Sequence, residues 1–217
     1  MAYDGSVTPG GPAAVRELDA LTVTKVSVGP MDNNAYLLQC GRTRDLLLVD
    51  AANDAGTLLY LLGGSPLSTV VTTHQHRDHW QGLAEVVTAT GARTAAGRAD
   101  ADGIPVPTDE LLDDGGSVRV GDVELAVIHL VGHTPGSVAL LYEDPRGHPH
   151  LFTGDSLFPG GPGRTTSPEN FTSLMHDLEQ KVFDRLPDET WFYPGHGDDS
   201  TLGAERPHLG EWRARGW

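Results

Sequence analysis

The residues most able to do chemistry lie in His74-Gln75-His76-Arg77-Asp78-His79, three histidines and an aspartate within six positions. Imidazole and carboxylate are ligands for zinc, iron and manganese. A half-buried cluster of them is costly unless something pairs with it. In an extended backbone, residues two apart point to the same side, so His74 and His76 can face one point. Asp78 and His79, past a turn, can face a second point a few ångströms away. One short loop can therefore supply ligands to two neighbouring metal ions.

Such a loop needs a rigid frame on both sides. The apolar run Leu67–Val71 precedes it and reads as a strand, whereas Leu83, Val86 and Val87 follow at helical intervals. Three more candidate ligands stand in similar places, each after an apolar run and beside glycine. They are His133 in Val131-Gly132-His133-Thr134-Pro135-Gly136, Asp155 in Thr153-Gly154-Asp155-Ser156, and His196 in Pro194-Gly195-His196-Gly197. Asp50 closes the run Leu46–Val49. His129, His148, His150, His176 and His208 lack this context and are read as non-ligands.

The elements follow from the same patterning. Val23–Val28 alternates and Ala35–Leu38 follows, across a turn marked by Gly29-Pro30 and Asn33-Asn34. Leu46–Val49 suits a strand buried on both faces. Residues 55–62 read as a helix stopped by Gly63-Gly64, and residues 91–116 as short strands and turns. Strands are expected at 117–120, 123–128, 138–142, 151–152 and 191–193. Ser167-Pro168-Glu169 opens the best helix, with a cap, a proline at the first position and an acid in the first turn. Its apolar stripe is Phe171, Leu174, Met175, Leu178, Val182 and Phe183. Residues 1–20 read as a flexible N-terminal arm and 21–217 as a single domain. Together these signals point to an α/β or α+β protein with a helix-covered sheet.

A formal net charge of -15 argues against nucleic acid and against a polybasic membrane contact. The single cysteine, Cys40, permits no intrachain disulfide. The first residues lack an apolar signal core and no apolar run reaches membrane-spanning length. The expectation is a cytoplasmic protein with a small-molecule partner.

The spacing His-x-His-x-Asp-His, with the later glycine-flanked residues, resembles the metallo-β-lactamase fold superfamily. That resemblance implies an α+β fold, the four-layer αβ/βα sandwich, with a metal site along one edge of two sheets. It implies two divalent metal ions, zinc first and iron or manganese as alternatives. His74, His76 and His133 would bind the first, Asp78, His79 and His196 the second, and Asp155 would bridge them. Asp50 would orient a ligand histidine. Two metals held about 3.5–4 Å apart generate a nucleophile from water and polarise a carbonyl. Asp78 would also hold that nucleophile in line, which makes it the catalytic residue.

Ligand identity narrows the branch. His79 and Asp155 are similar to glyoxalase II, persulfide dioxygenases and acyl-homoserine lactonases, and unlike zinc β-lactamases that place a cysteine where Asp155 stands. Gly154–Phe158 followed by Gly163-Arg164-Thr165 resembles the glyoxalase II and persulfide-dioxygenase motif. The sequence departs from it at Thr166-Ser167-Pro168-Glu169, and only 21 residues follow His196, fewer than a glutathione-binding helical domain needs. The expected reaction is thioester hydrolysis on an acyl substrate, with Arg164 as a candidate contact to its carboxylate. The alternatives are an iron-dependent persulfide dioxygenase and a lactonase of the same fold.

Overall fold

The computed structural model describes residues 3–216; Met1, Ala2 and Trp217 lie outside the described residues. The first sheet has seven strands in chain order: β1 (Ala14–Glu17), β2 (Leu21–Val28), β3 (Asn33–Cys40), β4 (Leu46–Val49), β5 (Leu67–Thr72), β6 (Arg93–Gly97) and β7 (Glu110–Leu112). The first four are antiparallel. From β4 to β7 the strands run parallel, with crossovers through α1 (Ala55–Leu62) and α2 (Leu83–Thr90).

The second sheet contains β8 (Ser117–Val120), β9 (Val123–His129), β10 (Val138–Glu143) and β11 (Pro149–Gly154). After the small hairpin of β12 (Leu157–Phe158) and β13 (Gly161–Pro162), β14 (Trp191–Pro194) and β15 (Ser200–Thr201) complete it. Its order is β15-β14-β11-β10-β9-β8. Three helices lie on this half: α3 (Pro168–Asp177), α4 (Leu202–Glu205) and α5 (Leu209–Arg215).

Side-chain parity builds the layers. Leu47 and Val49 of β4 meet Phe152 and Tyr193 between the sheets, whereas Leu46 and Leu48 pack outward with Leu58 of α1 and Val86 of α2. β10 divides likewise: Val138, Leu140 and Tyr142 point between the sheets, and Ala139 and Leu141 toward Leu174 and Leu178 of the α3 region. Helix, sheet, sheet, helix is the αβ/βα sandwich. A strand covered on both faces has no polar side, which is why Leu46–Val49 reads as unbroken apolar sequence.

Three local expectations need correction. Residues 14–17, assigned to a flexible arm, form β1, paired along its length with β2, and Tyr3 donates to Asp199 Oδ2 at 2.8 Å. The glycine- and proline-rich residues before it, and its own polar Arg16 and Glu17, hid an edge strand, where only one side of the backbone must be satisfied. Asn33 and Asn34 do not mark the turn but begin β3. The Asn34 side-chain amide donates to Pro194 O and Gly197 O, both at 2.9 Å, and the partner of the Asn33 side chain is described below. Finally, the helix opened by Ser167, whose Oγ accepts from Asn170 N at 3.2 Å, widens into a π-turn over Leu178–Phe183. The apolar stripe still faces the sheet.

Candidate metal centre

The C-terminal ends of β5 and β11, the β9–β10 connection and the end of β14 meet at one edge of the sandwich. β5 and β11 end at Thr72 and Gly154, directly before the histidine loop and before Asp155. His196 forms an isolated bridge with Asn33, while Asn34 N donates to Gly195 O at 2.8 Å. The start of β3 thus pins the last loop. Gly195 and Gly163 permit close approach: a Cβ at either position would collide with Asp155, at a carboxylate oxygen and at the carbonyl respectively.

All seven residues singled out from the sequence as ligands are brought together. Three groups have ligand atoms within 4.8 Å of one another: His74, His76 and His133; His74, His79 and Asp155; and Asp78, His79 and His196. His133 Nε2 stands 3.3 Å from His74 Nε2 and 2.9 Å from His76 Nδ1. On the other side, His196 Nε2 is 3.3 Å from His79 Nε2 and 3.2 Å from Asp78 Oδ2. Asp155 lies between them. Its Oδ1 is 3.4 Å from His79 Nε2, and its Oδ2 is 3.7 Å from His133 Nε2 and 3.5 Å from His196 Nε2.

The hydrogen bonds behind these rings assign their tautomers. His133 Nδ1 donates to Arg164 O at 2.6 Å and His196 Nδ1 to Met31 O at 2.9 Å. His79 Nδ1 donates to Asp50 Oδ2 at 2.8 Å. Thr73 Oγ1 gives its own proton to Asp50 Oδ2 at 2.8 Å, so it accepts from His74 Nδ1 at 3.0 Å. In neutral imidazoles each Nε2 then carries a lone pair, and these lone pairs converge. Such an arrangement repels itself unless a cation lies among them. Asp155 Oδ1 is buried and, among the described residues, has no hydrogen-bond partner. The donor set therefore fits divalent metal ions, with nitrogen and carboxylate oxygen on both sides.

Electrostatics fit the same picture. Burial keeps the His74 and His133 imidazoles below their ordinary value, in the neutral form a ligand requires. His79 is the exception: burial acts against its charged form, but the carboxylates of Asp50 and Asp155 carry its pKa up to about 10, so without a metal its ring holds a proton that a bound cation would displace. Burial opposes ionisation of Asp155, yet His196, His79 and His74 hold it well below the usual carboxylate range. His74 and His79 are fully buried while His76 is exposed, so the centre opens to solvent on the His76 side.

Asp50 is buried in a left-handed turn conformation at the end of β4, with Thr73 N donating to its Oδ1 at 2.7 Å. Arg164 contributes its carbonyl to His133, and its exposed side chain lines a cavity of about 300 Å³ with Gly163, Thr165, Phe171 and Arg215. The five histidines read as non-ligands stand outside the three groups. Sequence reasoning missed Asn33, whose Nδ2 donates to Asp78 Oδ2 at 2.9 Å, and Asp100, buried behind the histidine loop. Asparagine beside a turn and aspartate in a polar stretch carry no sequence mark that separates them from ordinary loop residues.

Comparison with known proteins identifies the family. Residues 28–196 match the family model described as the metallo-beta-lactamase superfamily. A hydroxyacylglutathione hydrolase of Cereibacter sphaeroides is 39% identical over 181 residues, which cover 82% of this chain and 66% of that protein. The chain thus spans just under two thirds of that relative's length. Among solved structures, ETHE1 from Myxococcus xanthus superposes with a TM-score of 0.77 at 26% identity, covering 88% of this chain and 84% of that one. TTHA1623, solved in a di-iron-bound form, gives a TM-score of 0.67 at 30% identity over 84% of this chain and 96% of its own. With the family model spanning most of its length and the fold shared with these structures, the chain belongs to the metallo-beta-lactamase superfamily.

Proposed function

We propose that this protein is a dinuclear metal-dependent hydrolase of thioesters, similar in reaction to glyoxalase II. The observation that carries the reading is Asp155, a half-buried carboxylate set between two groups of imidazoles, whose buried Oδ1 has no hydrogen-bond partner among the described residues. His74, His76 and His133 would hold one metal, Asp78, His79 and His196 the other, and Asp155 both. Zinc is the proposed occupant, and the likeness to a di-iron structure supports iron as the alternative. When bound, such a pair of ions supplies an activated water and an electrophile for the acyl carbonyl.

The protein's own residues set the geometry. Asn33 donates to Asp78 Oδ2, the oxygen that also stands 3.2 Å from His196 Nε2, and so fixes the carboxylate that would orient the attacking water. Asp50 holds His79, and the Met31 and Arg164 carbonyls hold His196 and His133. The groups gathered at the centre are thus committed as ligands or to ligands. A leaving group that departs without a proton suits this site, and a thiolate, with a thiol pKa near 8.5, does so far more readily than an amine. Arg164, beside Gly163 on the cavity wall, is the proposed contact for a substrate carboxylate.

The test is a panel of acyl thioesters differing only in the thiol, alongside a lactone, a β-lactam and a persulfide with oxygen monitored. Hydrolysis across several thiols is the expected result. Oxygen uptake with the persulfide would move the protein to the second reading, an iron-dependent dioxygenase. Lactone turnover above every thioester would make it a lactonase.

A further inference from the structure

We infer that Asp100 is a positioning residue for the first metal group, a carboxylate that fastens the two loops carrying His76 and His133 to each other. It stands just past the end of β6, in the first sheet, and its side chain is fully buried. Oδ2 accepts from Gln75 N, between His74 and His76, at 2.9 Å, and from Thr134 Oγ1, next to His133, at 2.5 Å. Oδ1 accepts from Gly136 N at 2.7 Å. Gln75 belongs to the first sheet's loop and Thr134 and Gly136 to the second sheet's, so one carboxylate joins the two sheets where their ligands must meet.

The fit is close and specific. A Cβ at Gly136 would collide with the Asp100 backbone nitrogen, and one at Gly97 with the Gly136 carbonyl. Ser137 Oγ, 2.5 Å from Thr134 Oγ1, extends the network. Among the described residues Asp100 has no cationic partner, and its two buried oxygens are met by these three donors. Leaving them unpaired would be costly, which gives the clamp its stiffness. The 2.9 Å separation of His76 and His133 depends on how the two loops stand relative to each other. The second group is held by different partners: Asp50, Asn33 and the Met31 carbonyl. Asp100 should therefore act on one metal and not the other.

This rests on the two-metal reading above, and the experiment separates the two. Metal-free protein is titrated with zinc against a chromophoric chelator, for wild type, Asp100→Asn, Thr134→Val and His133→Ala. Two ions per wild-type chain support the dinuclear reading; one ion would end it, whatever the variants do. His133→Ala identifies which step belongs to the first group. Asp100→Asn, nearly isosteric, should weaken that same step by about 10–100-fold, as loss of a supporting partner does, and leave the other step unchanged. Thr134→Val removes a single donor and should give a smaller loss at that step, and it carries the test if Asp100→Asn fails to fold. Wild-type affinities in the folded variants, or equal weakening of both steps, would overturn the inference.

Discussion

His79 donates through Nδ1 to Asp50 Oδ2 at 2.8 Å, and both side chains are buried. Asp50 also accepts from the backbone N–H and hydroxyl of Thr73. One carboxylate thereby fixes the ring of a candidate ligand and, through Thr73 Oγ1, the tautomer of His74. Asp50→Ala should lower affinity for the His79 metal by about 10–100-fold. Chelator competition reads this directly, and unchanged affinity would show that Asp50 only shapes the turn.

Gly195 tests the packing of the centre. A Cβ there would collide with Asp155 Oδ1 and come within 2.7 Å of His79 Cε1. Gly195→Ala is expected to fold with reduced metal content, since the neighbouring groups are proposed ligands that could not retreat without leaving the site. A variant carrying the wild-type complement of metal would mean that the loop gives way easily.

Asp78→Ala should abolish thioester turnover while the circular dichroism spectrum stays that of the wild type. The residue is half-buried in the second group, with Asn33 fixing one oxygen. Its loss removes a ligand and the orienting group for water together. Retention of more than about a tenth of wild-type activity would exclude that role.

Much of this arrangement is legible in the sequence because it obeys simple periodicities. Residues two apart on an extended chain share a side, apolar runs end at the site, and glycine stands where the backbone comes close. The supporting partners are not legible for the opposite reason. Asn33 reaches Asp78 across 45 positions, and Asp100 reaches Thr134 across 34; only the folded sheets bring them together. β1 was hidden because an edge strand with half-exposed side chains has weak alternation. The C-terminal helices were not anticipated, since a four-residue α4 and a seven-residue α5 are too short for a stripe to emerge.

His150 gives a pH dependence remote from the metal ligands. It is buried with Nδ1 2.9 Å from Tyr193 Oη, and burial, Arg16 and His148 push its pKa down to about 3. In the unfolded chain the value is about 6.5. Between these pH values the unfolded state binds more protons, so the contribution is complete above about 6.5 and is lost as pH falls toward 3. His150→Gln should therefore destabilise less on acidification than wild type, by several kcal/mol across that window. Denaturant unfolding of both proteins in chelator, from pH 7 to 4, gives the difference. Parallel curves would show that His150 does not titrate as its surroundings dictate.

In the proposed site Asp155 joins two histidine groups into one two-metal centre. Metal content per chain, measured for wild type, Asp155→Asn and His196→Ala after equilibration at one fixed zinc activity, tests it most directly. Wild type should carry about two ions, Asp155→Asn should lose metal from both groups, and His196→Ala should lose it chiefly from the second. The same single-site loss in both variants would contradict it, because Asp155 would then serve one metal and not two.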